Sequence, residues 1–173
     1  VKIAISYTCR LKCEMCAISF PYQSSIFKDR KYLLPEELNK LSPWIEKASQ
    51  VVFCGEGETM DSPYVFKFLK MLKDKNTSLV TSGLAINSEK VKSLVQLKLN
   101  VLHFSFDGKT SVGHGGGKDK YIRNFWKRVE NTQKIKKNLN SNIPVLGLYI
   151  TVNAENINTL DDLFETAYQH DVM

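Results

Sequence analysis

No apolar run in this chain approaches the ~20 residues that a membrane-crossing helix requires. The first residues, Val1 to Tyr7, lack the basic-then-apolar pattern of a secretory leader and read as a strand that runs straight into cysteines, so a cytoplasmic location is expected. Even cysteine spacing is missing too. Three of the four Cys are Cys9, Cys13 and Cys16, a cluster that excludes a disulfide framework and points to a metal site in a reducing compartment. The glycine-rich stretch Gly113–Gly117 has no Lys-Ser/Thr of a phosphate loop, which argues against nucleoside-triphosphate chemistry. Nor does an aromatic-basic signature accompany the net charge of +6. The lysines are spread over several helical patterns and read as solvated faces, so no nucleic-acid partner is expected.

What is present is a chain of 173 residues, 43% hydrophobic and 24% charged, which is the composition of one soluble globular domain with a real core. It lacks an initiator Met and stops at Asp171-Val172-Met173, so the expectation is a fragment.

Along the chain, strands and helices alternate. Strand one is expected at Lys2–Tyr7, and the loop from Thr8 to Leu34 carries the cysteines. A helix opens at Pro35 with Glu36 and Glu37 in its first turn, runs to about Ser49, and breaks or kinks at Pro43. Strand two is Gln50–Cys54. Ser62 caps the next helix, with Pro63 in its first turn and an apolar stripe of Val65, Phe66, Leu69 and Leu72. Strand three is Ser78–Thr81, and Ser88 caps a helix carrying Val91, Leu94 and Val95. Strand four is Asn100–Phe106. Ile122, Phe125, Trp126 and Val129 mark another helix, in which Phe125 and Trp126 belong to the core. Strand five is Pro144–Val152, and a last helix covers Thr159–Gln169.

Five such units give a parallel sheet with right-handed crossovers. In strand four, Leu102, Phe104 and Phe106 form an apolar face, while Val101, His103, Ser105 and Asp107 share the other. In strand five, Leu146, Leu148, Ile150 and Val152 oppose Gly147, Tyr149, Thr151 and Asn153. A face that turns polar toward the strand ends suits a partial (β/α) barrel with a ligand at its mouth. A doubly wound sheet would show continuous apolar runs. His103 lies deep in strand four and reads as a packed, hydrogen-bonded residue; His114 sits in the glycine-rich loop.

The cysteines are spaced C-x3-C-x2-C directly after strand one. Thiolates suit zinc or iron–sulfur clusters, and both structural zinc and ferredoxin sites take four protein ligands. Three clustered thiols leave a metal position open for a reacting ligand. Cys54, at the end of strand two, is expected to be core packing.

This spacing resembles that which defines the radical S-adenosylmethionine (SAM) superfamily. The resemblance implies a 4Fe–4S cluster on Cys9, Cys13 and Cys16, whose remaining iron binds the amino and carboxylate groups of SAM. It also implies reductive cleavage of SAM to a 5′-deoxyadenosyl radical that abstracts hydrogen from a substrate. Further segments carry the same likeness. Gly55-Glu56-Gly57-Glu58 resembles the family's GGE element, which implies that Glu58, beside Gly57, reaches the amino group of SAM, with Glu56 as the second choice. Thr81-Ser82-Gly83 resembles its TNG turn, with Ser82 in place of Asn. Ser105-Phe106-Asp107-Gly108 resembles the S-x-D-G element of the branch that carries SPASM or twitch domains. It implies that Ser105 contacts the SAM carboxylate or ribose and that Asp107 lines the substrate side or braces the loop. Gly147 to Asn153, followed by Asn156, resembles the hhhVVNxxN strand, with Asn153 and Thr151 near SAM. One departure is Met15, where the family usually has an aromatic residue.

On this resemblance residues 1–173 are a radical SAM core, cut before a sixth strand and any C-terminal domain. The partners implied are a peptide, protein or small-molecule substrate and an electron donor such as flavodoxin or ferredoxin. The rival from another class is a non-catalytic zinc- or iron–sulfur-binding module that uses Cys54 as a fourth ligand.

Overall fold

The computed structural model describes residues 1–11, 13, 16, 31–108 and 118–173. Five strands form one sheet: β1 (Lys2–Ile3), β2 (Gln50–Phe53), β3 (Asn76–Thr81), β4 (Val101–Ser105) and β5 (Val145–Tyr149). All neighbours pair parallel, in the order β1-β2-β3-β4-β5. Right-handed crossovers between sequential neighbours place every connecting helix on the same face of the sheet. That is the order of a barrel wall, whereas a doubly wound sheet reverses direction at a switch point. The α/β partial barrel expected from the sequence is therefore the fold.

The helices are α1 (Pro35–Lys40), α2 (Ser42–Lys47), α3 (Val65–Met71), α4 (Ser88–Gln96), α5 (Lys118–Asn138) and α6 (Leu160–Gln169). Pro43 breaks the first pattern into α1 and α2, as expected. Glu37 accepts the Leu34 N–H at 2.9 Å and closes the start of α1. Two starts differ from expectation. Asn87, not Ser88, caps α4 by accepting the Lys90 N–H at 2.9 Å. Ser62 accepts the Tyr64 N–H at 3.3 Å and forms a turn, so α3 begins only at Val65.

Side-chain alternation divides the wall as predicted. Leu102, Phe104 and Phe106 are buried, and Val101, His103, Ser105 and Asp107 are half-buried on the opposite face. The apolar face packs on α5, where Phe106 stacks on Phe125 at 3.9 Å and Phe104 meets Phe125 edge-on. Trp126 and Cys54 are buried, as expected of core residues.

β1 is shorter than its pattern suggests because the chain after Ile3 is claimed from two sides. Cys54 N–H donates to Ile3 O at 3.2 Å and Gly57 N–H to Ser6 O at 3.0 Å. On the other side Tyr7 N–H reaches Lys31 O and Leu33 N–H reaches Ile5 O, with an antiparallel bridge between Ser6 and Tyr32. The segment stays extended but leaves the regular ladder. β5 ends at Tyr149 rather than Val152, because Thr151 N–H turns to Asp107 Oδ1 at 2.8 Å. Among the described residues, no helix is long and apolar enough to cross a membrane.

Two consequences can be measured. A Cβ at Gly57 would lie 2.5 Å from Thr8 O and 2.8 Å from Ser6 O, both backbone atoms. G57A should therefore lower stability by about 1–3 kcal/mol in urea unfolding, the cost of overpacking, whereas Gly→Ala at an unconstrained position stabilises. His103 differs from its expected reading: its Nδ1 is buried with no hydrogen-bond partner among the described residues, against Gly147, where a Cβ would stand 2.8 Å away. Burial holds the His103 pKa below its ordinary 6.5. The unfolded chain then binds the extra proton first, so this contribution to stability is full above about pH 6.5 and falls as pH drops below it. His103→Leu should flatten the loss of stability between about pH 6.5 and 5, read from urea midpoints.

Candidate functional site

The strands' C-terminal ends gather the polar residues. After β2, Gly55 and Gly57 let the segment that leads to the cysteines press against the β2 end; a Cβ at Gly55 would lie 2.3 Å from Ala4 Cβ. Glu58 N–H donates to Thr8 O at 2.8 Å, one residue before Cys9. Arg10 then pairs with Asp61 at 2.8 Å on the 3-10 turn Thr59–Asp61. The root of the cysteine loop is thus held at three successive points.

Glu58 is 6% exposed and its carboxylate is fully engaged. Oε1 accepts the Thr81 hydroxyl at 2.5 Å and the Met60 N–H at 2.9 Å. Oε2 accepts the Ser82 N–H at 2.8 Å and the Ser82 hydroxyl at 2.5 Å. A carboxylate offers about four lone-pair sites, and all are taken. Ser82, standing where the family pattern has Asn, gives both its N–H and its hydroxyl to Glu58. Thr81 was not among the expected site residues, although its place at the end of β3 beside Ser82 was visible.

Cys9, Cys13 and Cys16 are half-buried, with Cys16 N–H bonded to Cys13 O at 3.0 Å. Leu11 N–H points at Cys9 Sγ at 3.4 Å. Burial first, and then the charges of Cys16 and Cys9, push the Cys13 thiol up to about 11. Burial also raises Cys9, against the Leu11 N–H. Ligating thiols must lose their protons, and three mutually repelling thiolates in a half-buried place favour a cationic centre between them. Among the described residues no three His, Cys, Asp or Glu side chains converge on one ion position. A cubane does not require that, because each thiolate binds a different iron. The donor set fits an iron–sulfur cluster, and Cys54 is buried at the end of β2.

Ser105 stands half-buried on the inward face at the end of β4, paired with Tyr149 of β5. Asp107 follows it; burial raises its pKa, opposed by the Thr151 N–H. Its carboxylate accepts the Thr151 N–H at 2.8 Å and so braces the loop after β5. Asn153 lies in that loop and not on a strand. Its Oδ1 accepts from Glu155 and Asn156 N–H, while Asn156 Oδ1 accepts the Asn153 N–H at 2.9 Å and Asn156 Nδ2 donates to Thr151 O. Met15 and His114 lie outside the described residues.

Two further residues join the site unforeseen. Tyr121, buried near the start of α5, is pushed up to about 12 by burial, with Arg128 acting the other way and Cys13, Asp107 and Glu58 among its charged neighbours. Arg128, two turns further along, has buried Nε and Nη2 atoms without a hydrogen-bond partner among the described residues. The signal was in the spacing. Tyr121, Phe125, Arg128, Thr132 and Ile135 recur every three or four residues, which puts a cation inside an apolar stripe.

Comparison with known proteins agrees with this geometry. The family model described as the radical SAM superfamily matches residues 3–167. No curated protein sequence matches the chain. Among solved structures it resembles Streptococcus suis SuiB bound to precursor peptide SuiA, with TM-score 0.68 and 15% identity over 99% of this chain and 37% of that one. It also resembles anSMEcpe with bound AdoMet and Cp18Cys peptide, with TM-score 0.64 and 21% identity over 98% of this chain and 47% of that one. BtrN in complex with AdoMet and 2-DOIA follows at TM-score 0.51 and 16% identity, over 73% of this chain and 49% of that one. The chain thus spans about half or less of the length of these proteins.

Removing one donor leaves a buried carboxylate short of a partner. Thr81→Val, close to isosteric, and Ser82→Ala should each cost about 1–3 kcal/mol in urea unfolding. A neutral result for both would show that the Glu58 network does not hold the β2 and β3 ends together.

Proposed function

The chain belongs to the radical SAM superfamily, and from that premise we propose that it is an enzyme that cleaves SAM reductively at a 4Fe–4S cluster on Cys9, Cys13 and Cys16 and acts on a peptide or protein substrate. Membership implies both cofactors. When bound, they supply an electron to the sulfonium and a 5′-deoxyadenosyl radical that takes hydrogen from the substrate.

The observation that carries this reading is the cysteine triplet rooted on Gly57 and Glu58 at the mouth of a parallel wall. The protein's own work is then binding, orientation and water exclusion. Gly57 admits the close backbone approach that fixes Cys9. Glu58 is the acceptor for the ammonium of SAM, and its filled shell sets the condition. The ammonium gains a place when the Thr81 or Ser82 hydroxyl rotates away, which leaves the Met60 and Ser82 N–H groups to hold the carboxylate. Ser105 offers a hydroxyl on the inward face. Asp107 keeps the β5 loop in place at the rim of the substrate side. Asn153 presents its amide NH2, since its Oδ1 is spent within the loop.

Support for a peptide substrate comes from the S-x-D-G element and from the two neighbours that cover 98–99% of the chain, both solved with peptides. The electron donor is of the flavodoxin or ferredoxin class. The competing zinc-module reading takes up one zinc and ignores SAM.

The test is anaerobic reconstitution with iron and sulfide, followed by reduction in the presence of SAM. Formation of 5′-deoxyadenosine, abolished by Cys13→Ala, is the expected result. A reconstituted cluster that leaves SAM intact would overturn the proposal.

A further inference from the structure

Exposed ion pairs stabilise a fold by little, whereas a two-bond fork between an arginine and a carboxylate fixes both partners in place. Arg10 and Asp61 form such a fork. Arg10 Nη2 donates to Asp61 Oδ1 at 2.8 Å, and Arg10 Nε donates to Asp61 Oδ2 at 3.3 Å. The Arg10 side chain is 66% exposed and that of Asp61 15%, so the fork joins a wet partner to a mostly buried one. Arg10 adjoins Cys9, while Asp61 comes 51 residues later in the chain.

The Asp61 end is firmly anchored. Asp61 N–H donates to Glu58 O at 3.1 Å and Met60 N–H to Glu58 Oε1 at 2.9 Å, so the turn Thr59–Asp61 closes on Glu58. Met60 is buried, and Lys90 Nζ of α4 donates to Met60 O at 3.1 Å. On the other side, Glu58 N–H holds Thr8 O at 2.8 Å. Residues 8 and 10 are thus both tied to the short stretch 58–61, one through its backbone and one through its side chain. Cys9 is the residue between them. Leu11 N–H then points back at Cys9 Sγ at 3.4 Å. A lysine at position 10 could meet Asp61 only as a point charge, without the planar fork.

We propose that the Arg10–Asp61 fork is a latch that sets Cys9 in its ligating place before metal arrives, both side chains acting as positioning residues. The proposal rests on the iron–sulfur reading above. A chain segment that closes around a metal gives up conformational freedom in doing so, and a Cys9 bracketed in advance gives up less. The latch therefore governs how firmly the metal is held and contributes little to the stability of the metal-free fold.

The test compares wild type with R10M, R10K, D61N and the double variant R10M/D61N, each reconstituted anaerobically with iron and sulfide. Release of iron to a ferrous chelator is then timed. R10M and D61N should each lose iron about tenfold faster than wild type, the scale on which removing a partner that orients a metal ligand acts. R10K should fall between. The double variant should lose iron no faster than either single variant, because the first change already removes the interaction. The reduction midpoint of the cluster gives a readout that a prop for the fold would not move. R10M removes a cation beside the cluster and lowers the midpoint, D61N removes an anion and raises it, and the double variant returns toward wild type. Release rates equal to wild type, losses that add in the double variant, or midpoints unmoved in both single variants would each overturn the latch. Without metal, all four variants should unfold near the wild-type urea midpoint. Urea midpoints that fall in step with iron loss would mean that the pair supports the fold, against the proposal. A wild type that takes up no cluster overturns the iron–sulfur reading together with the latch, whereas a wild type and variants that retain it equally overturn the latch alone.

Discussion

The carboxylate of Glu58 is the junction on which the functional end of this wall depends. A carboxylate this well buried is expensive unless donors surround it, and here four do so from three residues. Met60 N–H closes the turn after β2, while Thr81 and Ser82 arrive from the end of β3. The backbone of the same residue donates to Thr8 O. One residue therefore fixes the end of β2 to the end of β3 and to the stem of the cysteine loop. Gly57 is the steric condition for that arrangement, because any side chain there would meet Ser6 and Thr8 backbone atoms.

Much of the architecture was legible because it rests on period and spacing. The alternation in β4 separated Phe104 from His103 correctly, since a pleated strand leaves no other choice. The break at Pro43 followed from a missing donor and a ring clash. The cysteine spacing carried the family. What was not legible depends on competition between local bonds. Asn87 and Ser88 are both good caps, and only the backbone geometry decides between them. Lys2–Tyr7 has a strand's composition, yet residues 31–33 take its outer side and shorten the ladder. Arg128 was not singled out in the sequence, and its buried Nε and Nη2 follow from the apolar company it keeps along α5.

The same competition shifts the balance of the site. Strand five carries polar residues at its end, a pattern that suits ligand contact. In the folded chain Asp107 captures Thr151 N–H, and the strand stops two residues earlier. Asn153 and Asn156 then satisfy each other and the turn that leads to α6. Polar groups that bind one another are no longer available at full strength to a ligand. Among the described residues, the polar groups at the other strand ends are the cysteines, the donors around Glu58 and the hydroxyl of Ser105. The β5 loop is thus a braced rim, because its polar groups are held by Asp107 and by one another before any ligand arrives.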